Sequence, residues 1–294
     1  MVVRLSQVKL LFRRTFALHD FYGKCTLMTL STILEHLEQI APTHDAESWD
    51  NVGLLVGDPA QDVSHAMLTI DYTPQVAIEA ERKNCDLVIA YHPPIFEPLK
   101  RITAGSLIYD AIRRGVAIYS PHTALDVAEM GTNDMLADVV GMGERRPLRI
   151  RPRPDEKSAS NIEPTAPGMG RVGPLLRPAT RTEVFERIKQ QLGLAHLLIA
   201  WPQKGIVHRA AVCAGACGNH LNEAIAEKVD LYLTGEMRHH DAIKAVSAGL
   251  TVVCTLHSNS ERAILRRLKG RLTKEAPEVQ FHLSEMDCDP FTVT

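Results

Sequence analysis

One strand–helix–strand pattern, written twice, constrains this chain more than any other feature of it. The first copy runs Cys85-Asp-Leu-Val-Ile-Ala-Tyr-His-Pro-Pro94, crosses a helix-like stretch, and resumes as Gly115-Val-Ala-Ile-Tyr-Ser-Pro-His-Thr-Ala-Leu-Asp126. The second runs Val229-Asp-Leu-Tyr-Leu-Thr-Gly-Glu-Met-Arg-His-His240 and resumes as Gly249-Leu-Thr-Val-Val-Cys-Thr-Leu-His-Ser-Asn-Ser-Glu261. Each puts a polar residue at a strand end six positions after an Asp: His92 after Asp86, Glu236 after Asp230. Each then supplies a His followed four residues later by a carboxylate, His122/Asp126 and His257/Glu261. Any two βαβ units share a hydrophobic rhythm. The matched Asp anchors and endings favour a duplication over chance likeness.

Short apolar runs at 66–70, 87–90 and 116–119 alternate with helical stretches, and the pattern returns at 197–200, 210–214, 231–233 and 251–255. Helices are expected from Ser31 as cap, from Thr73 as cap with Pro74 at the first position, over 106–114 closed by Gly115, and over 181–191, 222–228, 241–248 and 261–272. Strands alternating with helices at this spacing predict an α/β protein built of βαβ units with mostly parallel sheets. Ligands of such sheets gather beyond the carboxyl ends of the strands, where His92 and His122 stand.

The 294 residues accommodate two ordinary domains. The expected division is an extension over 1–27, a lobe over 28–142, a basic Pro-punctuated linker over 143–167, and a second lobe over 168–294. Residues 1–27 carry five Lys and Arg against one acid, Asp20, with Leu5, Val8, Phe12 and Phe16 on one helical face. That pattern fits a mitochondrial transit peptide; an unstructured extension, or translation from Met28, fits as well. The expected location is mitochondrial or cytoplasmic, with a nuclear pool as a further option. The linker reads as an exposed loop rather than a phosphate- or partner-binding arm, because charge runs are mostly solvated.

A net charge of −2 gives no electrostatic reason for nucleic acid or an anionic membrane as a partner, and no apolar run reaches bilayer length. Aromatic content of 5% without basic interleaving speaks against a base-stacking platform. Six scattered cysteines do not resemble a disulfide framework. Cys213-x-x-x-Cys217 has no matching second pair, so it reads as a buried strand end before it reads as zinc ligands.

Imidazole and carboxylate together suit Fe, Zn, Mn or Co better than Mg or Ca, which prefer all-oxygen shells. Each candidate has an ordinary explanation too. His92 alone would be a polar strand end, and Asp126 a helix-entry carboxylate. Ser258-Asn-Ser-Glu261 matches a capping box, a role that competes with metal ligation for the same carboxylate. As a set, they point to a dinuclear centre. Glu236 and His239 are the candidate proton-shuttling, catalytic residues. No G-x-S-x-G elbow supports a serine triad.

Six ordered motifs carry a resemblance: Trp49-Asp-Asn-Val-Gly-Leu-Leu-Val-Gly57, Tyr91-His-Pro-Pro-Ile-Phe96, Pro121-His-Thr-Ala-Leu-Asp126, Gly131-Thr-Asn-Asp134, Thr234-Gly-Glu-Met-Arg-His-His-Asp241 and His257-x-x-x-Glu261-Arg262. The chain resembles the Nif-three-like family (NGG-one interacting factor three), also called GTP cyclohydrolase I type 2-like, over about residues 28–285. The resemblance implies two α/β lobes, two divalent transition-metal ions (Fe, Zn or Mn) in the cleft, and a ring-shaped homohexamer. It implies His92, Asp126, His257 and Glu261 as metal ligands, with Tyr91 and His122 one shell out. Many bacterial members have two adjacent His where this chain has Tyr91-His92. The implied function is metal-dependent hydrolysis of a nucleotide-like small molecule. A non-catalytic, metal-stabilised oligomeric adaptor for protein partners such as transcription regulators stays open beside it, as does a metal-handling or redox protein.

Overall fold

Successive buried runs form the centre of two sheets, each of five strands. The computed structural model describes residues 28–150, 167–201 and 205–294. The transit-peptide reading of 1–27 and most of the expected linker, 151–166, lie outside the described residues. In the first sheet β1 (Gly53–Val56) runs antiparallel to β4 (Ala117–Ser120), which pairs in parallel with β3 (Leu87–Ala90), itself parallel to β2 (His65–Thr69). In the second, β5 (Arg171–Thr180) runs antiparallel to β7 (Ile206–Cys213); β7, β8 (Leu231–Thr234) and β9 (Thr251–Cys254) are parallel, and β6 (Leu198–Ala200) closes the far edge antiparallel to β9. The two halves share one topology: the strand preceding the parallel trio crosses to pair with its last member.

The helices follow the expected punctuation. α1 (Leu30–Ile40) buries Leu30, Ile33, Leu37 and Ile40; Thr29, not Ser31, stands at its N-cap. α2 (Pro74–Arg82) is capped by Thr73, whose hydroxyl accepts from the Val76 N–H, and α3 (Leu107–Arg114) ends at Gly115 with φ +70°. α4 (His122–Val127) and α5 (Thr132–Val140) follow β4. The second half contributes α6 (Arg181–Leu192), α7 (Leu221–Ala226), α8 (His239–Ser247) and α9 (Ile264–Glu275).

The halves exchange their last elements. α5 leaves the first half to pack on β5, β7 and α6 of the second. α9 leaves the second half to pack on β2 and α1 of the first, and the chain ends in β10 (Gln280–Leu283), parallel to β2. The expected boundary of the second lobe at 168–294 is therefore corrected: α9 and β10 belong to the first sheet. One apolar core joins both lobes, from Leu30 and Leu68 to Val212, Leu231 and Leu272. A buried ion pair reinforces the join. Arg171 Nε lies 2.8 Å from Asp134 Oδ1, and the same guanidinium donates to the carbonyls of Val127, Ala128, Gly168 and Gly170.

The basic segment after α5 also departs from expectation. Residues 144–150 are not a free loop: Arg146 exchanges backbone hydrogen bonds with Val172, and Arg149–Ile150 pairs with Gly168–Met169. Arg145 lies 2.9 Å from Asp134 and Arg146 2.6 Å from Glu227. Pairing with acids on the folded body, not solvation, accounts for these charges.

Candidate metal centre

The carboxyl ends of β3 and β9 carry His92 and His257, and the turn after His257 carries Glu261. His92 Nε2 lies 3.2 Å from Glu261 Oε2, and His257 Nε2 lies 3.4 Å from Glu261 Oε1. One buried carboxylate thus sits between two imidazoles, one from each half. Ligand atoms of the three residues fall within 4.8 Å of one another. Each imidazole is backed by a second carboxylate on its other nitrogen: Asp71 Oδ1 is 2.9 Å from His92 Nδ1, and Glu236 Oε1 is 3.3 Å from His257 Nδ1. A carboxylate behind a ring nitrogen fixes the tautomer and turns the opposite nitrogen toward the site.

The facing atoms are poorly served by the protein itself. His92 Nε2 and Glu261 Oε2 are buried, and neither closes a well-aligned hydrogen bond. Burial opposes charge on His92, but the Asp71 and Glu261 carboxylates outweigh it and push its pKa up to about 10. The backbone also makes room. Gly215, with φ +69°, approaches so closely that a Cβ there would lie 2.8 Å from Glu261 Oε1 and 3.3 Å from His257 Nε2. Orphaned atoms, two backed imidazoles and a glycine cradle fit a divalent transition metal.

Asp126 stands beside this trio and is not among the atoms that converge. Tyr91, fully buried, donates its hydroxyl to Asp126 Oδ1, and Thr132 Oγ1 lies 3.0 Å from the same phenol oxygen. Burial, then the Glu261 charge, raises the Asp126 carboxyl to about 6. Burial, then the Asp126 and Glu261 charges, holds the Tyr91 phenol far above its ordinary pKa, so it stays a donor. His122 opens α4 at φ +29°, with its Nδ1 2.7 Å from Asp50 Oδ1 and its ring 5.4 Å from that of His92. Burial works against the Asp50 charge, but hydrogen bonds from His122 and Thr123 hold its pKa below the usual carboxylate range.

The capping-box alternative for Glu261 is settled by packing. Ser258–Ser260 forms a 3-10 turn, α9 starts at Ile264 instead of 261, and the Ser258 hydroxyl donates to Asp289 Oδ2, 2.8 Å away. Glu261 is left to the imidazoles. Of the two expected proton carriers, Glu236 lines the pocket but holds His257, while His239 lies exposed on α8 with its ring against His240. Sequence reasoning passed over Asp71 and Gly215. Asp71 follows directly on the buried strand run, a position that would have flagged it. Gly215 shows its role only in the fold, through its close approach to Glu261 and His257.

A pocket of about 450 Å³ opens above the trio. Its walls include Pro93, Phe96, Asp289, Pro290 and Phe291, so the C-terminal tail overhangs the imidazoles. Trp49 extends the rim, with its ring 6.0 Å from those of Phe96 and His122.

Fold and site define a class: two topologically equivalent α/β lobes with exchanged terminal elements and a His–Glu–His cluster at the strand ends between them. The chain belongs to the Duf34/NIF3 (NGG1p interacting factor 3) family, which it matches over residues 28–290. It is 33% identical to NGG1-interacting factor 3 of Saccharomyces cerevisiae, covering 91% of this chain and 98% of the relative. It is 29% identical to a Clostridium perfringens GTP cyclohydrolase 1 type 2 homolog, covering 90% and 99%. A Staphylococcus aureus hypothetical protein of known structure shares the fold with a TM-score of 0.79 at 24% identity, covering 91% of this chain and all of that one.

Proposed function

We propose that this protein is a metal-dependent hydrolase acting on a small nucleotide-like molecule in the pocket above His92, His257 and Glu261. The observation that carries the reading is the convergence of two backed imidazoles on one buried carboxylate, with facing atoms lacking aligned partners. His92, His257 and Glu261 would hold one divalent ion, and Asp126 is the further carboxylate toward a second. Bound there, such an ion would supply Lewis acidity, polarising the attacked group and acidifying water toward neutral pH. The protein's own parts then divide the remaining work. Asp71 and Glu236 keep the imidazoles in register, Glu236 at the pocket edge can take up a proton, and Phe96 and Phe291 offer apolar faces to a planar ring. The bacterial relative's name, a GTP cyclohydrolase 1 type 2 homolog, supports a nucleotide as the first class to try.

The test is metal analysis of protein purified without chelator, followed by a hydrolysis screen over nucleotides and pterin precursors. His257→Ala and Glu261→Gln should abolish turnover and the metal held by the trio while leaving the assembly intact. Substoichiometric traces of every transition metal would overturn the reading.

A second reading has its own support, since the yeast relative is named for an interaction with another factor. On that reading the metal braces an oligomeric adaptor that binds protein partners. A ring-shaped homohexamer is part of both proposals, and light scattering on the purified chain measures it. A metal-loaded hexamer without turnover on any nucleotide favours the adaptor.

A further inference from the structure

A second ligand cluster lies behind the first, and shares no residue with it. β7 ends at Cys213, the chain turns through residues 214–216, and the 3-10 turn Cys217–His220 brings a second thiol and an imidazole back toward the strand end. One ligand atom from each of Cys213, Cys217 and His220 lies within 4.8 Å of the other two. Cys213 and His220 are buried, and Cys217 is half-buried at the edge. The same turn lies between the two clusters: Gly215 approaches His257 and Glu261, and Cys213 and Cys217 stand on either side of it in the chain.

Neighbouring groups hold the three in place. Cys213 packs among Val172, Leu221 and Tyr232. The Tyr232 hydroxyl donates to the Cys217 carbonyl over 2.7 Å, and the Cys217 thiol donates to the Ala214 carbonyl over 3.0 Å, so the turn is pinned at both ends. Glu223 Oε1 lies 3.4 Å from His220 Nδ1, one turn further along α7. That leaves Nε2 as the ligating nitrogen, with the carboxylate in the orienting position.

We propose that Cys213, Cys217 and His220 form a second metal site, taking a thiophilic divalent ion such as Zn2+, with a fourth position open toward solvent beside Cys217. Zn–S and Zn–N bonds of about 2.3 and 2.1 Å require the three ligands to close by roughly 1 Å, within the reach of side-chain rotation. Two metal–sulfur bonds and one metal–nitrogen bond form, and both thiol protons leave to solvent; no oxidant or reductant takes part. Thiolate softness separates this site from the nitrogen–oxygen trio, so one chain offers two sites of different metal preference. The proposal does not depend on hydrolysis at the other site.

The test is a Co2+ titration of the full chain, reduced and stripped with chelator. Only a sulfur-ligated ion produces an intense near-ultraviolet thiolate-to-cobalt charge-transfer band, so the nitrogen–oxygen trio is silent. The expected result is such a band, saturating at one equivalent, displaced by Zn2+, unchanged in His257→Ala, and lost in Cys217→Ser. His220→Asn should weaken Co2+ binding at least tenfold. Cys213→Ser alters a buried position, so the half-buried Cys217 carries the test with His220→Asn beside it, and circular dichroism confirms that these variants fold. Absence of the band in reduced protein overturns the proposal. So does a band that survives Cys217→Ser. A Cys213–Cys217 disulfide by peptide mass, with no metal taken up after reduction, would assign the pair to redox chemistry instead and overturn it equally.

Discussion

Tyr91 and Asp126 share a hydrogen bond sealed from solvent between the two lobes, the phenol donating to Oδ1. The same Asp126 carboxylate feels the charge of Glu261, so the phenol is the protein's own counterweight to two acids in a dry place.

Tyr91→Phe removes that donor without changing shape. It should destabilise the metal-free chain by about 1–3 kcal/mol, the usual cost of stranding a buried polar partner. Urea unfolding in chelator measures it. Tyr91→His places a nitrogen ligand beside Asp126 instead, and bound metal per chain should rise above that of the parent protein.

Metal uptake should strengthen with pH. The His92 imidazolium is favoured in the fold, so its contribution to metal-free stability is complete below about 6.5 and is lost as pH rises toward about 10. A metal needs the neutral ring and must displace that proton. Apparent affinity should therefore grow about tenfold per pH unit across neutral pH. Asp71→Asn lowers the His92 pKa and should flatten that slope in competition titrations.

Gly215→Ala should disturb the trio without unfolding the chain. The new methyl meets Glu261 and His257 at 2.8 and 3.3 Å, at a backbone φ of +69°. Metal affinity should fall at least tenfold, while stability drops by about 1–2 kcal/mol for the left-handed backbone. Calorimetric metal titration beside thermal melting separates the two effects.

Asp134→Ala should loosen the lobes. It leaves the buried Arg171 guanidinium without its carboxylate, a loss of about 3–5 kcal/mol for breaking a buried pair from one side. A lower melting temperature with unchanged helix content in the native state is the expected observation.

The parallel trio of each sheet was legible, because each strand carries a short buried run and burial imprints its own rhythm. So were the Thr73 cap and the Gly115 stop, which are local backbone chemistry. Among the site residues, His92, His257 and Glu261 were legible from their strand-end positions. The capping box at Ser258 was a false lead, since the local motif is compatible with both roles and only the presence of His92 decides between them. Asp71 had only its place after a buried strand run to mark it, and Asp50 carries no such signal. Each is one acid in a loop until the fold sets it behind an imidazole.

The sequence by itself determined the doubled α/β rhythm and the residue types of an imidazole–carboxylate cluster, because both follow from side-chain chemistry and local spacing. Tertiary structure alone decided that α5 and α9 exchange lobes, that β10 joins the first sheet, and that Asp126 turns to Tyr91 while Glu261 spans two imidazoles. It also decided that Cys213, Cys217 and His220 converge. The reason is physical: each depends on contacts between side chains or edges distant along the chain or set by a turn's backbone, and an edge strand pairs with whichever open edge the packed core presents.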